Sequence, residues 1–457
     1  MWRCWGFAFL AVSAFVAVSQ AADCEDKYPW YCAKWKKYCN KFQVLRDEWC
    51  RATCGTCQSN VVKEDEGQSV HSCQSNLDQS ALSSFQKNSN EFALKLYNLA
   101  RKNDLTGNIF FSPASISLAL GMVLAGANGQ TKAQIKQHLA KDLNDNQINA
   151  AFAWLMRELN PGNSNYTLYT ANAMYMQQDL TLEQQFSQIV AQCFQSSAEL
   201  RDFVSQAEAV RVEVNKWVED KTKDRIKDLI PEGAVDSLTR MILVNAIYFK
   251  AEWKTPFTQG AQTSKRAFYP LSDPSNGKMI DFMNKKMFLP YYEDETLQLL
   301  ELPYRQDELS MYILLPRQRT GLTQMEGLLT HQWLTQLIGG VKQRQVEVKI
   351  PKWTLTQNLP LKKLLKEMGM ADMFSRRADL SGINGKKDLF VSDALHKAFI
   401  EVNEKGTEAA AATAILISLT SLPLNPPPVF VADHPFFFVI RHKSSNNLLF
   451  MGGLTDV

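Results

Sequence analysis

Six cysteines, Cys24, Cys32, Cys39, Cys50, Cys54 and Cys57, crowd into 34 residues near one end of a 457-residue chain. So short a segment cannot bury enough apolar surface to offset the entropy of ordering it, so cross-links must hold it. Cys54-Gly-Thr-Cys57 has the spacing of a zinc ligand pair. Six cysteines rather than four, in an exported chain, favour disulfides instead, each contributing about 2–4 kcal/mol by restricting the unfolded chain. Spacing leaves the connectivity open, since six cysteines allow about 15 pairings. Export is read from the start of the chain: Arg3, an apolar run from Trp5 to Val18, then Ser19, Gln20, Ala21 and Ala22. That order is a secretory signal cleaved after Ala21, and the run is shorter than the roughly 20 residues of a spanning helix.

Removing Cys4 with the signal leaves eight of the nine cysteines, an even number suited to an oxidising compartment. Residues 1–21 therefore read as signal, 22–57 as a cystine module, 58–78 as a polar flexible linker, and 79–457 as a long body. Cys73 in the linker and Cys193, the one cysteine of the body, are either a bridge or two free thiols. Asn165-Tyr166-Thr167 is a glycosylation sequon. Lys34, Trp35, Lys36 and Lys37 read as a solvated helix face. With 45% hydrophobic and 21% charged residues the chain is neither disordered nor fibrous. A net charge of +3 gives no reason to expect a nucleic acid partner, and no later window is long and apolar enough to span a membrane.

The body mixes two periods, which predicts an α+β class with substantial sheets. Residues 83–102 put Phe85, Phe92, Leu96 and Leu99 on one helical face. Ser112 and Pro113 cap and open an apolar helix over 113–127. Residues 240–253 and 311–316 are β-branched and aromatic runs, 345–355 alternates like one half-buried strand, and 361–370 is a short amphipathic helix. No phosphate loop, dinucleotide fingerprint, HExxH or GxSxG is present, so the chain is not expected to be an enzyme and no metal or cofactor is expected. His396 and His434 lie in apolar surroundings and read as core residues.

One segment stands apart. Glu404-Lys-Gly-Thr-Glu-Ala-Ala-Ala-Ala-Thr413 has helix-forming alanines, yet alternate positions tell another story. As a strand, Thr407, Ala409, Ala411 and Thr413 share one face, and Glu408, Ala410, Ala412 and Ala414 the other. A segment that must slip into a gap in an existing sheet needs small uncharged side chains on its buried face. Gly406 permits the change of backbone direction at its start. The following "ILISLTSLPLNPPP" (415–428) is apolar and stiffened by prolines, as an exposed loop would be.

Several long motifs in order, "NIFFSPASISLAL" (108–120), "VNAIYFKAEWKTPF" (244–257), "MGMADMFSRRADLSGI" (368–383), "LHKAFIEVNEKGTEAAAAT" (395–413) and "DHPFFFVIRH" (433–442), resemble the serpin family over about residues 80–457. The resemblance implies three β-sheets, eight or nine helices and an exposed reactive loop. It implies a secreted, monomeric suicide inhibitor that forms a covalent complex with a serine protease and then inserts its cleaved loop into the main sheet. Ser112, Ser115, Asn245 and His396 would be the hydrogen-bonded shutter beneath that sheet, Trp253 would pack at the breach where insertion starts, and Lys352 would pair with Glu404. The family's spacing from Glu404 puts the reactive bond at Thr420–Ser421, or at Leu419–Thr420 as the alternative. The hinge would be Glu404, Gly406, Thr407, Glu408, Ala409, Ala410, Ala411, Ala412 and Thr413. Neither Arg nor Lys occurs between Gly406 and Pro428, which points to an elastase- or chymotrypsin-like protease rather than a trypsin-like one. The family's "FMGR" reads "FMGG" here, at 450–453.

The cystine segment, ending "WCRATCGTC" (49–57), is similar to the ShKT family of sea-anemone toxin-like modules. That resemblance implies the pairs Cys24–Cys57, Cys32–Cys50 and Cys39–Cys54. The adjacent Lys-Tyr pair with which toxin members block potassium channels is replaced by Val44 and Leu45. Two further readings remain: a non-inhibitory carrier of the same fold, or a protein directed to a surface or channel by its small module.

Overall fold

The structure, a computed structural model, describes Cys73 and residues 77–159, 166–258, 262–407 and 426–457. The signal peptide, the ShKT-like module and its three bridges, Asn165, hinge residues Glu408–Thr413, and Leu419, Thr420 and Ser421 all lie outside the described residues.

The helices follow their periodicity. α1 (Gln79–Asn103) begins at Asp78, whose carboxylate accepts from the Ala81 N–H, four residues earlier than the apolar pattern alone places it. Phe85, Phe92, Leu96 and Tyr97 are buried along it, while Leu99 is only half-buried. After β1 (Ile109–Phe111), α2 (Pro113–Gly126) is capped by Ser112 and buried on nearly every side. α3 (Gly129–Leu139) and α4 (Asp145–Leu159) follow, then β2 (Tyr166–Gln177), α5 (Gln184–Phe194), β3 (Ser197–Arg201) and α6 (Phe203–Lys221). The apolar run at 240–253 is β4 (Met241–Glu252).

Next come β5 (Thr263–Phe268), β6 (Lys278–Glu293), β7 (Leu297–Pro303) and β8 (Leu309–Pro316), with the short α7 (Leu322–Glu326) and α8 (His331–Gly339). The alternating stretch 345–355 is not one strand: β9 (Lys342–Pro351) and β10 (Trp353–Leu359) belong to different sheets. Pro351, which has no N–H to give, stands at the break. α9 (Leu361–Glu367) stops before Gly369, whose φ of 96° is a left-handed turn that favours glycine. α10 (Ser381–Asn384) leads to β11 (Asp393–Asn403), the two-residue β12 (Gly406–Thr407), β13 (Val429–Val431), β14 (Phe436–His442) and β15 (Leu448–Leu454).

The strands form a six-stranded sheet, β10-β11-β12-β4-β2-β3, and a nine-stranded one, β1-β15-β14-β8-β7-β6-β9-β13 with β5 added on β6. The second is two sheets sharing one strand. β6 pairs β9 from Phe282 to Tyr291 and meets β7 from Tyr291 to Glu293. Counted either side of β6, the described residues hold the three sheets the family resemblance implies.

The six-stranded sheet is covered on both faces. Along β4, Leu243, Ile247 and Phe249 face the large core that includes α2, while Ile242, Val244, Ala246 and Tyr248 pack with Val210, Val214 and Val218 of α6. A strand buried on both sides reads as an unbroken apolar run, as this one does. Cys73 and Cys193 are bridged, with Cα atoms 5.2 Å apart and 120 residues between them in sequence, tying the segment before α1 to α5. Among the described residues no helix is long and apolar enough to cross a membrane, and no cluster of three or more His, Cys, Asp or Glu could hold a metal.

Candidate functional site

The site is the seam between β4 and β11. Over Asp393–Phe399 these two strands pair directly and in parallel with Ile242–Tyr248. One end of the seam is open. There Gly406 and Thr407 form β12, wedged between Val402–Asn403 on one side and Ala251–Glu252 on the other, antiparallel to both. Gly406 is required by close approach. A Cβ there would overlap the Ala251 carbonyl oxygen and lie 2.7 Å from the Glu252 Cα. Thr407 is fully buried, and its hydroxyl meets the Tyr304 hydroxyl at 2.9 Å.

The segment leading in is fixed by main-chain bonds. The Trp253 N–H donates to the Lys405 carbonyl at 2.9 Å, and the Phe257 N–H to that of Glu404 at 2.8 Å. Trp253 stacks on Tyr304 with ring centroids 4.6 Å apart, and its indole N–H donates to the Asn403 carbonyl at 3.0 Å. Glu404 is 5% exposed, and its Oε1 accepts from Lys352 Nζ at 3.2 Å and from the Thr263 hydroxyl at 2.7 Å. Burial acts to raise the Glu404 carboxyl, but the Thr263 hydroxyl, its own backbone N–H and the Lys352 ammonium outweigh it and hold the pKa below the usual value. The charged lead-in is therefore anchored, and the small residues begin immediately after it.

Beneath the paired part of the seam lies a polar knot within an apolar core. His396 and Asn245 are direct partners across β11 and β4. The Ser112 N–H donates to His396 Nε2 at 3.2 Å, so Nδ1 carries the imidazole proton and donates to Asn245 Oδ1. Burial pushes the His396 pKa down to about 3 and keeps the ring neutral. Ser112 Oγ donates to the Leu449 carbonyl at 2.7 Å and accepts from the Ser115 N–H at 3.2 Å. Asn245 Nδ2 reaches the Ser115 carbonyl at 3.1 Å, the Ser115 hydroxyl and Asn172 Oδ1. No buried side-chain polar atom of Ser112, Ser115, Asn245 or His396 lacks a partner, so the knot holds the strands without an exposed charge.

The structure thus places Ser112, Ser115, Asn245 and His396 in one cluster, and Trp253, Lys352, Glu404, Gly406 and Thr407 in a second at the open end. Sequence reasoning missed three partners: Asn172 on β2, Thr263 on β5, and Tyr304 after β7. Asn172 did carry a signal, as an amide inside the apolar strand "TANAMYMQ" directly opposite Asn245. The other two are set by long-range packing that local periodicity does not encode.

The comparisons agree with this geometry. A family model described as Serpin (serine protease inhibitor) matches residues 87–457, and one described as ShK domain-like matches residues 23–57. Ipis-1 of Ixodes persulcatus is 38% identical over 371 residues, spanning 80% of this chain and 97% of that protein. The leukocyte elastase inhibitor of Bos taurus is 38% identical over 373 residues, with 80% and 97% covered. Among solved structures, that of Serpin48, described as a highly specific serpin of the insect Tenebrio molitor, superposes with a TM-score of 0.74 at 31% identity, covering 84% of this chain and all of that one.

Proposed function

The chain belongs to the serpin family, and from that premise we propose that it is a secreted suicide inhibitor of serine proteases with elastase- or chymotrypsin-like pockets. The observation that carries the reading is β12. Two loop residues already sit between β4 and β11, while the rows beyond them are bonded only to each other. Continuing the same register sets Ala409 beside Ile400 and Phe249, Ala411 beside Ala398 and Ile247, and Thr413 beside His396 and Asn245. Cross-strand partners share a face. Thr407, Ala409, Ala411 and Thr413 would therefore enter the main core, where small uncharged side chains fit, and Glu408, Ala410 and Ala412 would lie under α6.

The protease serine Oγ attacks the Thr420 carbonyl carbon, the bond to the Ser421 nitrogen breaks, and that nitrogen leaves protonated as an amine. The protease is then an ester of Thr420. The freed strand enters the seam, opening the direct β4–β11 pairs and replacing them with pairs on both of its edges, and carries the protease with it. Distortion of the protease site before water attacks the ester completes the trap. Leu419–Thr420 is the neighbouring alternative for the bond. The leader at residues 1–21 and the eight mature cysteines support secretion. The ShKT-like module, with Cys24–Cys57, Cys32–Cys50 and Cys39–Cys54 paired, and a glycan on Asn165 belong to the same extracellular reading.

The test is incubation with elastase, chymotrypsin and trypsin, followed by denaturing gels and mass spectrometry. Expected are detergent-stable complexes with the first two and a released peptide that begins at Ser421. Cleavage by all three enzymes with no complex would overturn the proposal and favour a non-inhibitory role.

A further inference from the structure

Cys73 and Cys193 close their bridge in the interior, at 5% and 0% exposure, and its two ends belong to opposite flanks of the β4–β11 seam. On one side, Cys193 stands in the last turn of α5, which packs on β3 and leads into it; β3 pairs β2, and β2 pairs β4. Ser196 ties that helix end to the sheet. Its Oγ donates to the Asn172 carbonyl at 2.7 Å, and Asn172, opposite Asn245 of β4, accepts from the Asn245 amide with its own side chain. On the other side, Cys73 precedes Leu77 by four residues, at most about 14 Å of chain. Leu77 packs on the large core, and Asp78 caps α1. α1 in turn packs on α9, which follows β10 in the chain and packs on β11. α2 lies between, touching both α1 and α5.

Entry of one more strand moves β4 and β11 about 4.8 Å further apart, the spacing between paired strands. The β10–β11 pairs on one side, and the β4–β2–β3 pairs on the other, need not break, so the flanks part as blocks. The bridge joins those blocks by a short covalent path: a cystine with Cα atoms 5.2 Å apart and four residues of chain. We infer that it is a brake on opening of the seam, holding the α5–β3–β2–β4 flank against the α1–α9–β11 flank and slowing the entry of a strand. Hydrogen bonds along the seam are exchanged row by row, whereas a cystine is exchanged only by attack of a thiolate. A bridge also restricts the unfolded chain. That effect acts on the balance between folded and unfolded forms and does not alter the rate of passage between two folded forms. The rate of insertion therefore separates a brake from a stabiliser. The inference rests on the reading of the seam as the place where a loop strand enters.

The experiment compares the full chain with the double variant Cys73→Ala/Cys193→Ala and with a slack chain. The slack chain keeps both cysteines but has a flexible Gly-Ser stretch inserted between Gln74 and Ser75, adding about 15 Å of reach. The probe is a synthetic peptide with the sequence of residues 407–419, whose uptake by each uncut chain is timed on native gels, with urea unfolding recorded alongside. Both altered chains should take up the peptide about tenfold faster than the parent, while the slack chain, its cystine intact, keeps a urea midpoint close to the parent's. Uptake by the slack chain at the parent's rate would overturn the brake, even with a faster double variant, since loosened packing would then account for the latter. Should the double variant fail to fold, the slack chain still decides. Uptake by none of the three, with no gain in the parent's thermal midpoint after its loop is cut, would remove the insertion reading and the brake with it.

Discussion

Two residues at the seam make sharp claims about the molecule. His396 is neutral and buried, with Nε2 accepting from the Ser112 N–H. Unfolding exposes an imidazole that protonates near pH 6.5, whereas the folded one resists down to about 3. The unfolded state therefore binds the extra proton as pH falls, so this group's stability is fully present above pH 6.5 and is lost progressively below it. Between pH 7.5 and 5.5 the loss is about 1.4 kcal/mol, to be read as the difference in urea-unfolding pH dependence between the parent and His396→Phe. Gly406 makes the second claim. Gly406→Ala drives a methyl into the Ala251 carbonyl and the Glu252 backbone, so β12 should leave the sheet at a cost of about 1–3 kcal/mol. Hydrogen exchange should then quicken at the Trp253 and Phe257 amides, which bond to Lys405 and Glu404; unchanged protection there would refute the close-approach argument. A third residue bears on the departure from the family motif. Gly453 stands where the family motif has arginine, and a Cβ on it would overlap the Tyr97 hydroxyl and lie 2.5 Å from the Arg101 guanidinium. Arg101, on α1, binds Glu326 at 3.0 Å in that space.

At the level of elements, the behaviour turns on how a strand enters a finished sheet. Thr407 has no exposed surface, so Thr407→Arg must either bury an unpaired guanidinium or stall β12 at its first row. Most encounters should then end in a cut loop and a released protease. The measurement is moles of inhibitor cleaved per mole of complex, expected to rise several-fold, with trapping as efficient as the parent's refuting the insertion register. Elements defined by their own periodicity were legible in the sequence: α1, α2 and β4. What was not legible depends on pairing across long separations. The break at Pro351 sends β9 and β10 to different sheets, which their shared alternation conceals. Nothing local to Gly406–Thr407 shows that these two residues are already inserted, because the gap they fill is made by β4 and β11, more than 140 residues apart in sequence.

For the whole molecule, moving a bound protease requires that insertion run downhill. Under the proposed mechanism the uncut chain is the less stable form, held there because the loop is tethered at both ends. Cutting at Thr420–Ser421 with a protease that is not retained should raise the thermal midpoint well above that of the intact chain, with calorimetry as the check. An unchanged midpoint would mean the seam does not accept the strand. In the proposed insertion Ser112, Ser115, Asn245 and His396 would set the height of this barrier: they are bonded with the seam closed, and the β4–β11 pairs there would have to be exchanged before Thr413 could arrive beside His396.

The Cys73–Cys193 bridge adds a different kind of constraint. It turns a stretch 120 residues long into a covalent ring, removing about 5 kcal/mol of loop-closure freedom from the unfolded chain. Seen as a graph rather than a fold, the described residues close one cycle here, and the chain runs on from both of its corners. On a denaturing gel a single nick anywhere inside the cycle detaches nothing until a reductant is added, whereas a nick between Cys57 and Cys73 lies outside the cycle and needs no reductant. The proposed reactive bond lies beyond the other corner, where a cut severs residues 421–457 in covalent terms while β13, β14 and β15 stay paired in their sheet. The cuts thus have distinct signatures: one inside the cycle is revealed only by reduction, one outside it by denaturation alone. The pattern of gels alone can tell which part of the molecule an attacking protease has found.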